Sequence, residues 1–453
     1  MHPRPSDEPR SSLALLAARL PFFYGWVIVG MSIVSGFLAS GMTNLVMGVL
    51  LKPMSEDLGW SRTLVAGALA AGTVGGGVLA PIIGRLADRR GPRLLMSGGA
   101  AIVGSLFLAL PLTQAAWQFY AVYIPGRALS VNAMVGVVPL TAVANWFFAK
   151  RPRAMGMVSM ALALGGSLMA LAAQLLIERF GWRAVPFTFG VLVWLLVVVP
   201  GALLLRRQPE DLGLLPDGAK PADPSATAPA SQGRGPQRQR SVQDGYDWSL
   251  SEALHTPALW FIVSSYGLAA MAHGSIGFHQ VAYYIDQGLA PTMAALALSI
   301  YAFSGAVSNV VWGFLAERVS DRLLNIGALL FSAGCMIFLI QVQSVPSAFL
   351  FSVLFGLAAR GEGALVNIIL AHYYGRKSFG AISGFTIPFQ MAGVGLGPLL
   401  AAATFDLTGS YVRVFLFYSV TYVVAAFLMF LARQPKPPAG ALVGASADTA
   451  PAR

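Results

Sequence analysis

Charge is scarce in this 453-residue sequence. Only 11% of its residues are Asp, Glu, Lys or Arg, against 56% hydrophobic ones, whereas a soluble domain carries about 25% charged residues and is less than half apolar. That excludes a soluble enzyme. A single cysteine, Cys335, excludes both a disulfide framework and a thiolate metal site within one chain and reads as a small core residue. His-Glu-x-x-His, Gly-x-Ser-x-Gly and Gly-Lys-Ser/Thr are all missing, and no His/carboxylate cluster has ligand spacing, so no catalytic centre, cofactor or metal is expected.

Apolar residues instead fill runs of roughly 20, the length that crosses a bilayer core about 30 Å thick. Twelve spans are expected: 22–48, 61–84, 94–113, 116–146, 153–177, 183–205, 257–285, 292–316, 322–343, 346–373, 379–403 and 411–433. The expected class is an all-α polytopic membrane protein. Its parts would be a cytoplasmic tail (1–21), a six-helix bundle (22–206), a cytoplasmic linker (207–255), a second six-helix bundle (256–433) and a second cytoplasmic tail (434–453). The linker is rich in Pro, Ala, Gln and Arg and too poor in apolar residues to fold alone.

The net charge of +11 follows the same topology. With the N-terminus inside, 23 Lys and Arg fall on the cytoplasmic side and five (Lys52, Arg62, Arg179, Arg183, Arg413) outside, the positive-inside pattern. The excess therefore reports contact with membrane lipid head groups, not nucleic acid. Arg4, Arg10 and Arg19 precede a long first span, so a retained span is expected, without a cleaved leader. The chain is expected in the bacterial inner membrane as a monomer.

The two bundles repeat each other. Gly84-Arg-Leu-Ala-Asp88 recurs as Gly313-Phe-Leu-Ala-Glu317 and Asp57-Leu-Gly59 as Asp286-Gln-Gly288, both at an offset of 229; Gly165 meets Gly393 at 228. Duplicated bundles with a linker are an architecture of secondary transporters, whose substrate site lies between repeats near the midplane. Small residues at 66–77, 165–166 and 393–397 would serve either static packing or surfaces that rock during alternating access.

Ionisable groups inside spans cost about 2.5 to 3.5 kcal/mol each on insertion scales, so Arg127, Arg360 and Glu362 need a reason. The repeat offset sets Arg360 four residues from Arg127's equivalent, which turns both arginines toward one central space. Arg360 and Glu362, two apart, lie about 200° around the helix and cannot readily pair with each other. Glu362 then either neutralises Arg127 as a structural ion pair or gates and couples to protons, while at least one arginine forms a fork for an anionic group. His273 and His279 lie on opposite sides of span 7, a spacing unsuited to a metal; each is a proton-coupling group or a packing histidine. His273 maps onto Asn44. Asn132, Asn309, Asn367 and Gln390 complete the candidate polar set as solute contacts or interhelical hydrogen bonds.

Between spans 2 and 3 stands Gly84-Arg85-Leu86-Ala87-Asp88-Arg89-Arg90-Gly91-Pro92-Arg93, in which Gly84 and Gly91 permit close approach and Asp88 can face a positive helix N-terminus. The pattern resembles the loop motif of the major facilitator superfamily. The resemblance implies the major facilitator fold, with twelve transmembrane helices in two pseudo-symmetric six-helix bundles. It also implies a conformational gate in which Asp88 closes the cytoplasmic side against the start of span 11, braced by Arg89 and Arg93. Tyr24-Gly-Trp-Val-Ile28, Gly59-Trp-Ser-Arg62, Asn145-Trp-Phe147, Phe180-Gly-Trp-Arg-Ala184, Pro209-Glu-Asp-Leu-Gly-Leu214, Gly397-Pro-Leu399 and Asp406-Leu-Thr-Gly-Ser-Tyr411 further resemble the bacterial oxalate/formate antiporter and monocarboxylate porter families. Such proteins move small organic anions by proton symport or exchange. One departure concerns the carboxylate clamp: those families carry an arginine before the Trp-Gly pair of span 8, where this chain has Asn309 before Val-Val-Trp312-Gly313. The alternatives are a proton-driven exporter of amphiphilic compounds, for which the aromatic residues and 16 Met would serve, and a transport-inactive receptor on the same fold.

Overall fold

In the computed structural model, the described residues are 20–147, 150–215, 217, 248–316, 318–359, 361–375 and 379–436. They form twelve long helices: α1 (Gly25–Leu58), α2 (Arg62–Arg90), α3 (Pro92–Leu112), α4 (Ala116–Trp146), α5 (Arg151–Phe180), α6 (Ala184–Leu204), α7 (Pro257–Asp286), α8 (Pro291–Leu315), α9 (Asp321–Ile340), α10 (Val345–Tyr374), α11 (Phe379–Thr408) and α12 (Val412–Leu431). Eleven are long and apolar enough to cross a membrane. The other, α5, has 30 residues, about 45 Å at the α-helical rise, with Arg151, Arg153, Glu178 and Arg179 at its ends.

Helix ends follow local chemistry. Ser61 Oγ accepts the Leu64 amide at 3.1 Å and caps α2, while Gly59 (φ +66°) lets α1 turn away. Pro92, Pro257 and Pro291 open α3, α7 and α8, where a missing amide costs nothing. Two expectations need correction here. α1 continues to Leu58, so Lys52 belongs to a helix and not to a loop, and α2 continues to Arg90, so Gly84 to Arg90 are its last turns. The connection proper is Gly91 (φ +79°).

Four helices are interrupted; in α6 a π segment, Trp194–Val198, precedes Pro200. In α1, Gly25–Ala39 passes through a short 3-10 segment, Ser40–Met42, to Asn44–Leu58. Ser40 and Thr43 hydroxyls bond the carbonyls of Phe37 and Ser40, both at 2.6 Å, and Thr43 is extended. In α4, a π segment (Val131–Val135) follows Ser130, and Gly136 takes φ −94°, ψ −107°. In α10, Val345–Ala359 and Glu362–Tyr374 are separate segments. Trp312 of α8 wedges against Gly361, where an added Cβ would sit 2.0 Å from its Cδ1. Its indole N–H donates to the Leu357 carbonyl at 2.7 Å, satisfying an acceptor that an unbroken helix would pair with the Gly361 amide. The break in α10 falls at the repeat equivalent of Val131, so the two repeats are interrupted at the same place.

Glycines mark close helix contacts. In α11, Gly393 and Gly397 press on the α7 backbone, with an added Cβ at Gly397 only 1.9 Å from the Met271 carbonyl oxygen. Gly165 and Gly166 take α1, and Gly72, Gly75 and Gly76 take α4. These contacts lie within a bundle, the static reading of the small-residue clusters. Gly395, Gly48 and Gly277 face the other bundle, against Ala70, Phe278 and Leu45 respectively, while Gly67 packs closely on the Tyr120 hydroxyl of its own bundle.

The linker is structured at its ends. Pro209–Leu212 forms a 3-10 turn, and Leu250–Leu254 a short helix capped reciprocally by Ser249 and Glu252. Residues 218–247 lie outside the described residues, as do both tails apart from residues 20–21 and 434–436.

Candidate functional site

Arg127 is buried in α4 and turned toward the break in α1. Its side-chain methylenes lie over Gly72, and its Nη2 donates to Asn44 Oδ1 at 3.3 Å. Asn44 is the first residue of the second α1 segment. Tyr123, one helical turn before Arg127, donates to the Met42 carbonyl at 3.3 Å, and Ser35 to the Met134 carbonyl at 3.1 Å, so the two interrupted helices are tied to each other. Arg127 Nε has no hydrogen-bond partner among the described residues.

Glu362 opens the second segment of α10, fully enclosed, with neither carboxylate oxygen hydrogen-bonded among the described residues. It stands at a helix N-terminus, where the unpaired amides of the first turn point toward it. Tyr266 of α7 and Tyr422 of α12 stand within electrostatic range of it, and the position of a Cβ at Gly363 would be 3.0 Å from the Tyr266 hydroxyl. Among the described ion pairs none joins Arg127 to Glu362, so the structural-pair alternative does not hold in this conformation. Nor does the regular-helix geometry assumed between Arg360 and Glu362, since α10 is interrupted between them. Arg360 itself lies outside the described residues, as do the side chains of Asn309 and Asp88.

The remaining candidates divide by partner. Asn132 donates to the carbonyls of Gly76 (2.8 Å) and Ala128 (3.0 Å), an α4–α2 tie within the π segment. His279 is enclosed by protein: its Nε2 faces the Pro398 carbonyl at 2.8 Å and its Nδ1 the Tyr411 hydroxyl at 2.9 Å. A carbonyl only accepts, so Nε2 carries the proton and Nδ1 accepts from Tyr411. That is the packing alternative for this residue. His273 is half-buried on α7, and its carbonyl faces the Tyr301 hydroxyl at 3.5 Å. Asn367 is exposed and accepts from Ser383 of α11 at 3.0 Å; Gln390 is half-buried on α11. Arg93 donates twice to the Ala202 carbonyl of α6, at 2.6 and 3.0 Å, and Gly91 abuts the Arg207 side chain. Both therefore act inside the first bundle. Gly84 and Arg89 are placed on α2.

One end of the molecule, the basic face, carries the Arg85–Arg93 turn, Arg206, Arg207 and Arg322; the far face carries the α1–α2 and α7–α8 turns. Among the described residues, every hydrogen bond and ion pair between the bundles lies from mid-depth to the far face. Asp286 of α7 is gripped by Lys52 of α1 at 2.9 Å and Arg62 of α2 at 2.8 Å. The Arg62 guanidinium also lies 3.8 Å from the Phe405 ring centroid and donates to the Tyr411 hydroxyl at 2.7 Å. Asp406, in the last turn of α11, accepts the backbone amides of Arg62 (3.3 Å) and Thr63 (2.8 Å), capping α2 from the other bundle. Thr292 donates to Glu178. Deeper in, Ser167 and Ser299 each donate to the other's carbonyl, at 2.8 and 2.7 Å.

In the sequence these far-face residues do not stand out as a site, although Arg62, Asp286, Asp406 and Tyr411 sit in the motifs quoted above. The repeat also carried a clue: Asp57, the equivalent of Asp286, binds Trp182 Nε1 (3.1 Å) and Arg183 (2.5 Å) inside its own bundle. One duplicated aspartate thus holds a bundle together and the other joins the bundles. A separate cavity of about 490 Å³ between α5, α8 and α10 is lined by Leu168, Leu296, Phe303 and Val307 over Ser167 and Ser299 and is almost wholly apolar.

Twelve long helices, eleven of them apolar enough to cross a membrane, stand in two repeated bundles joined on one face and interrupted at mid-depth, the architecture of a polytopic helical membrane protein. The model of the Major Facilitator Superfamily matches residues 31–289 and 262–452, and the chain belongs to that superfamily. It is 23% identical to "Monocarboxylate transporter 2" of Homo sapiens over 445 residues, 90% of this chain and 85% of that protein. It is 26% identical to an "MFS-type transporter" of Gibberella moniliformis over 79% of each, and 25% identical to "Monocarboxylate transporter 12" of Rattus norvegicus, over 66% of this chain and 63% of that one. The fold matches a bacterial homolog of the human lysosomal transporter Spinster in an inward-facing, occupied conformation, with TM-score 0.71 and 15% identity over 91% of this chain and 98% of that one.

Proposed function

We propose that this transporter carries small organic anions, mono- or dicarboxylates, by alternating access with proton symport or anion exchange. The observation that carries the reading is Arg127: a cation enclosed at mid-depth, with one nitrogen on Asn44 and another unpartnered. A guanidinium so placed in a low-dielectric interior favours a carboxylate that can take two of its donors. Arg360, one helical turn from the repeat equivalent of Arg127, is the second arm of the fork, and Glu362 is the group that gains and loses a proton. Likeness to monocarboxylate transporters supports the solute class. With the basic face cytoplasmic, as the charge distribution favours, the far-face ties close the outside and the molecule is inward-open in the inner membrane, both termini inside.

The test is uptake of labelled pyruvate and oxalate by the purified protein in liposomes, with and without an imposed pH gradient. Saturable uptake is expected, lost in Arg127→Gln and in Arg360→Gln while insertion and folding persist; normal uptake by both variants overturns the assignment. The apolar cavity between α5, α8 and α10 favours a second reading, export of amphiphilic compounds. Saturable transport of lipophilic cations with no preference for carboxylates would select it.

A further inference from the structure

Among the described residues, the second bundle holds several buried polar atoms without a hydrogen-bond partner; Gln280 Oε1 of α7 is one, and a further set falls in one file along α9, α10 and α12. Asn325 of α9 is fully buried with neither amide atom bonded; Ser332 Oγ of α9, Tyr422 Oη of α12 and both oxygens of Glu362 are likewise without partners. Native interiors leave few such atoms, and water commonly fills the role.

Depth follows from the contacts between these helices. Arg322 Nε on the Met429 carbonyl (3.2 Å) and Ser419 Oγ on the Ala333 carbonyl (3.0 Å) fix the antiparallel register of α9 and α12, setting Tyr422 level with Leu329, between Asn325 and Ser332. The His372–Asp321 contact at 2.7 Å fixes α9 against α10, setting Ser332 level with Gly361 and Glu362. Asn325 and Ser332, seven apart, share one face of α9. Asp321 and the largely exposed His372 stand at the mouth of this file on the basic face.

We propose that the second bundle carries its own hydrated proton path, from the Asp321–His372 pair through Asn325, Tyr422 and Ser332 to Glu362, separate from the solute route between the bundles. It rests on the reading of Glu362 as the proton-carrying group. A proton entering at the mouth is handed along water and hydroxyl oxygens, each accepting one proton and releasing another, and ends on a Glu362 oxygen. The groups facing Glu362 suit an end point. Tyr266 and Tyr422 can donate to the carboxylate, Trp312 and Ser308 of α8 flank Gly361, Cys335 of α9 lies near Tyr422, and α11 brings no ionisable side chain at this depth. Arg360 adjoins it in sequence. The path lets Glu362 exchange protons with the basic face even while an anion occupies the space between bundles.

Infrared difference spectroscopy on the full-length protein in lipid bilayers reads this directly. A protonated-carboxyl band lost in Glu362→Gln assigns the group, and its isotope shift after rapid transfer to D2O times proton exchange. Asn325→Leu and Tyr422→Phe are expected to slow that shift about tenfold or more, a barrier increment of about 1.4 kcal/mol. Asn325→Ser restores it, and thermal unfolding checks that each variant is folded. An assigned band whose exchange is unaffected in both variants overturns the path and leaves the Glu362 reading standing. Absence of any band attributable to Glu362 across the pH range overturns both.

Discussion

Arg127 shows why a residue can be legible in sequence while its surroundings are not. Its cost in an apolar span, about 2.5 to 3.5 kcal/mol, marks it in any sequence, and the same holds for Glu362. Their partners were a different matter. Asn44 stands out in the sequence through the repeat and not through its contact with Arg127, and no ion pair joins Glu362 to Arg127 among the described residues; the interruptions of α1 and α10, which set Asn44 and Glu362 at the starts of new helical segments, are beyond what periodicity can foresee. His279 was legible only as one of two alternatives, since two interhelical hydrogen bonds satisfy its ring. A buried charge without a counter-ion lowers stability, so Arg127→Met should raise the melting temperature, by about 2 °C or more if 1 kcal/mol is recovered, while abolishing carboxylate uptake. Scanning calorimetry beside the uptake assay checks it; a lower melting temperature would mean that the Arg127–Asn44 bond stabilises more than desolvation costs. Arg127→Lys should restore at most a fraction of uptake, because an ammonium cannot hold Asn44 and present a fork together.

At the scale of elements, existence and order of the helices were readable from apolar runs, and the duplication from matched landmarks, because both are properties of the chain in one dimension. Ends and interruptions were not. Spans 1 and 2 were drawn several residues short because Lys52, Asp57, Arg85 and Asp88 read as loop, although a helix continues beyond the hydrocarbon once its polar groups meet water or one another. The break in α10 depends on Trp312, 49 residues earlier and on another helix, filling the space beside Gly361. Gly361→Ala should therefore force the indole away, break its 2.7 Å bond to Leu357 and destabilise the protein by about 1 to 3 kcal/mol. Trp312→Phe removes the bond while relieving the crowding and should cost about 1 kcal/mol. Thermal unfolding in detergent ranks the pair; equal stability of Gly361→Ala and wild type would show that the wedge does not hold the break. Gly397→Val should be more damaging than either, since its side chain meets the backbone of Met271, which cannot step aside.

For the whole molecule, α2 and α11 run in opposite directions, so the N-terminus of α2 meets the last turn of α11. On the far face Asp406 of α11 caps the first amides of α2; on the basic face the resemblance assigns the matching role to Asp88 against α11. The two ends would then compete, one cap forming as the other opens, with the Lys52–Asp286–Arg62 cluster adding to the far-face closure. Each exposed tie contributes only about 0.3 to 1 kcal/mol, a scale suited to a carrier whose states must interconvert. Asp406→Asn should shift the population toward far-face opening by a few-fold, and more so at low ionic strength in the double variant Asp406→Asn/Asp286→Asn. The single Cys335 makes the measurement clean: in a Cys335→Ser background, Ser167→Cys and Ser299→Cys place two thiols where each hydroxyl now reaches the other residue's carbonyl. Oxidation should cross-link the bundles, stop transport and be reversed by reductant, and the cross-linking rate should fall when Asp406 is replaced. A cross-linked protein that still transports at the wild-type rate would mean that the bundles do not separate at this contact during the cycle.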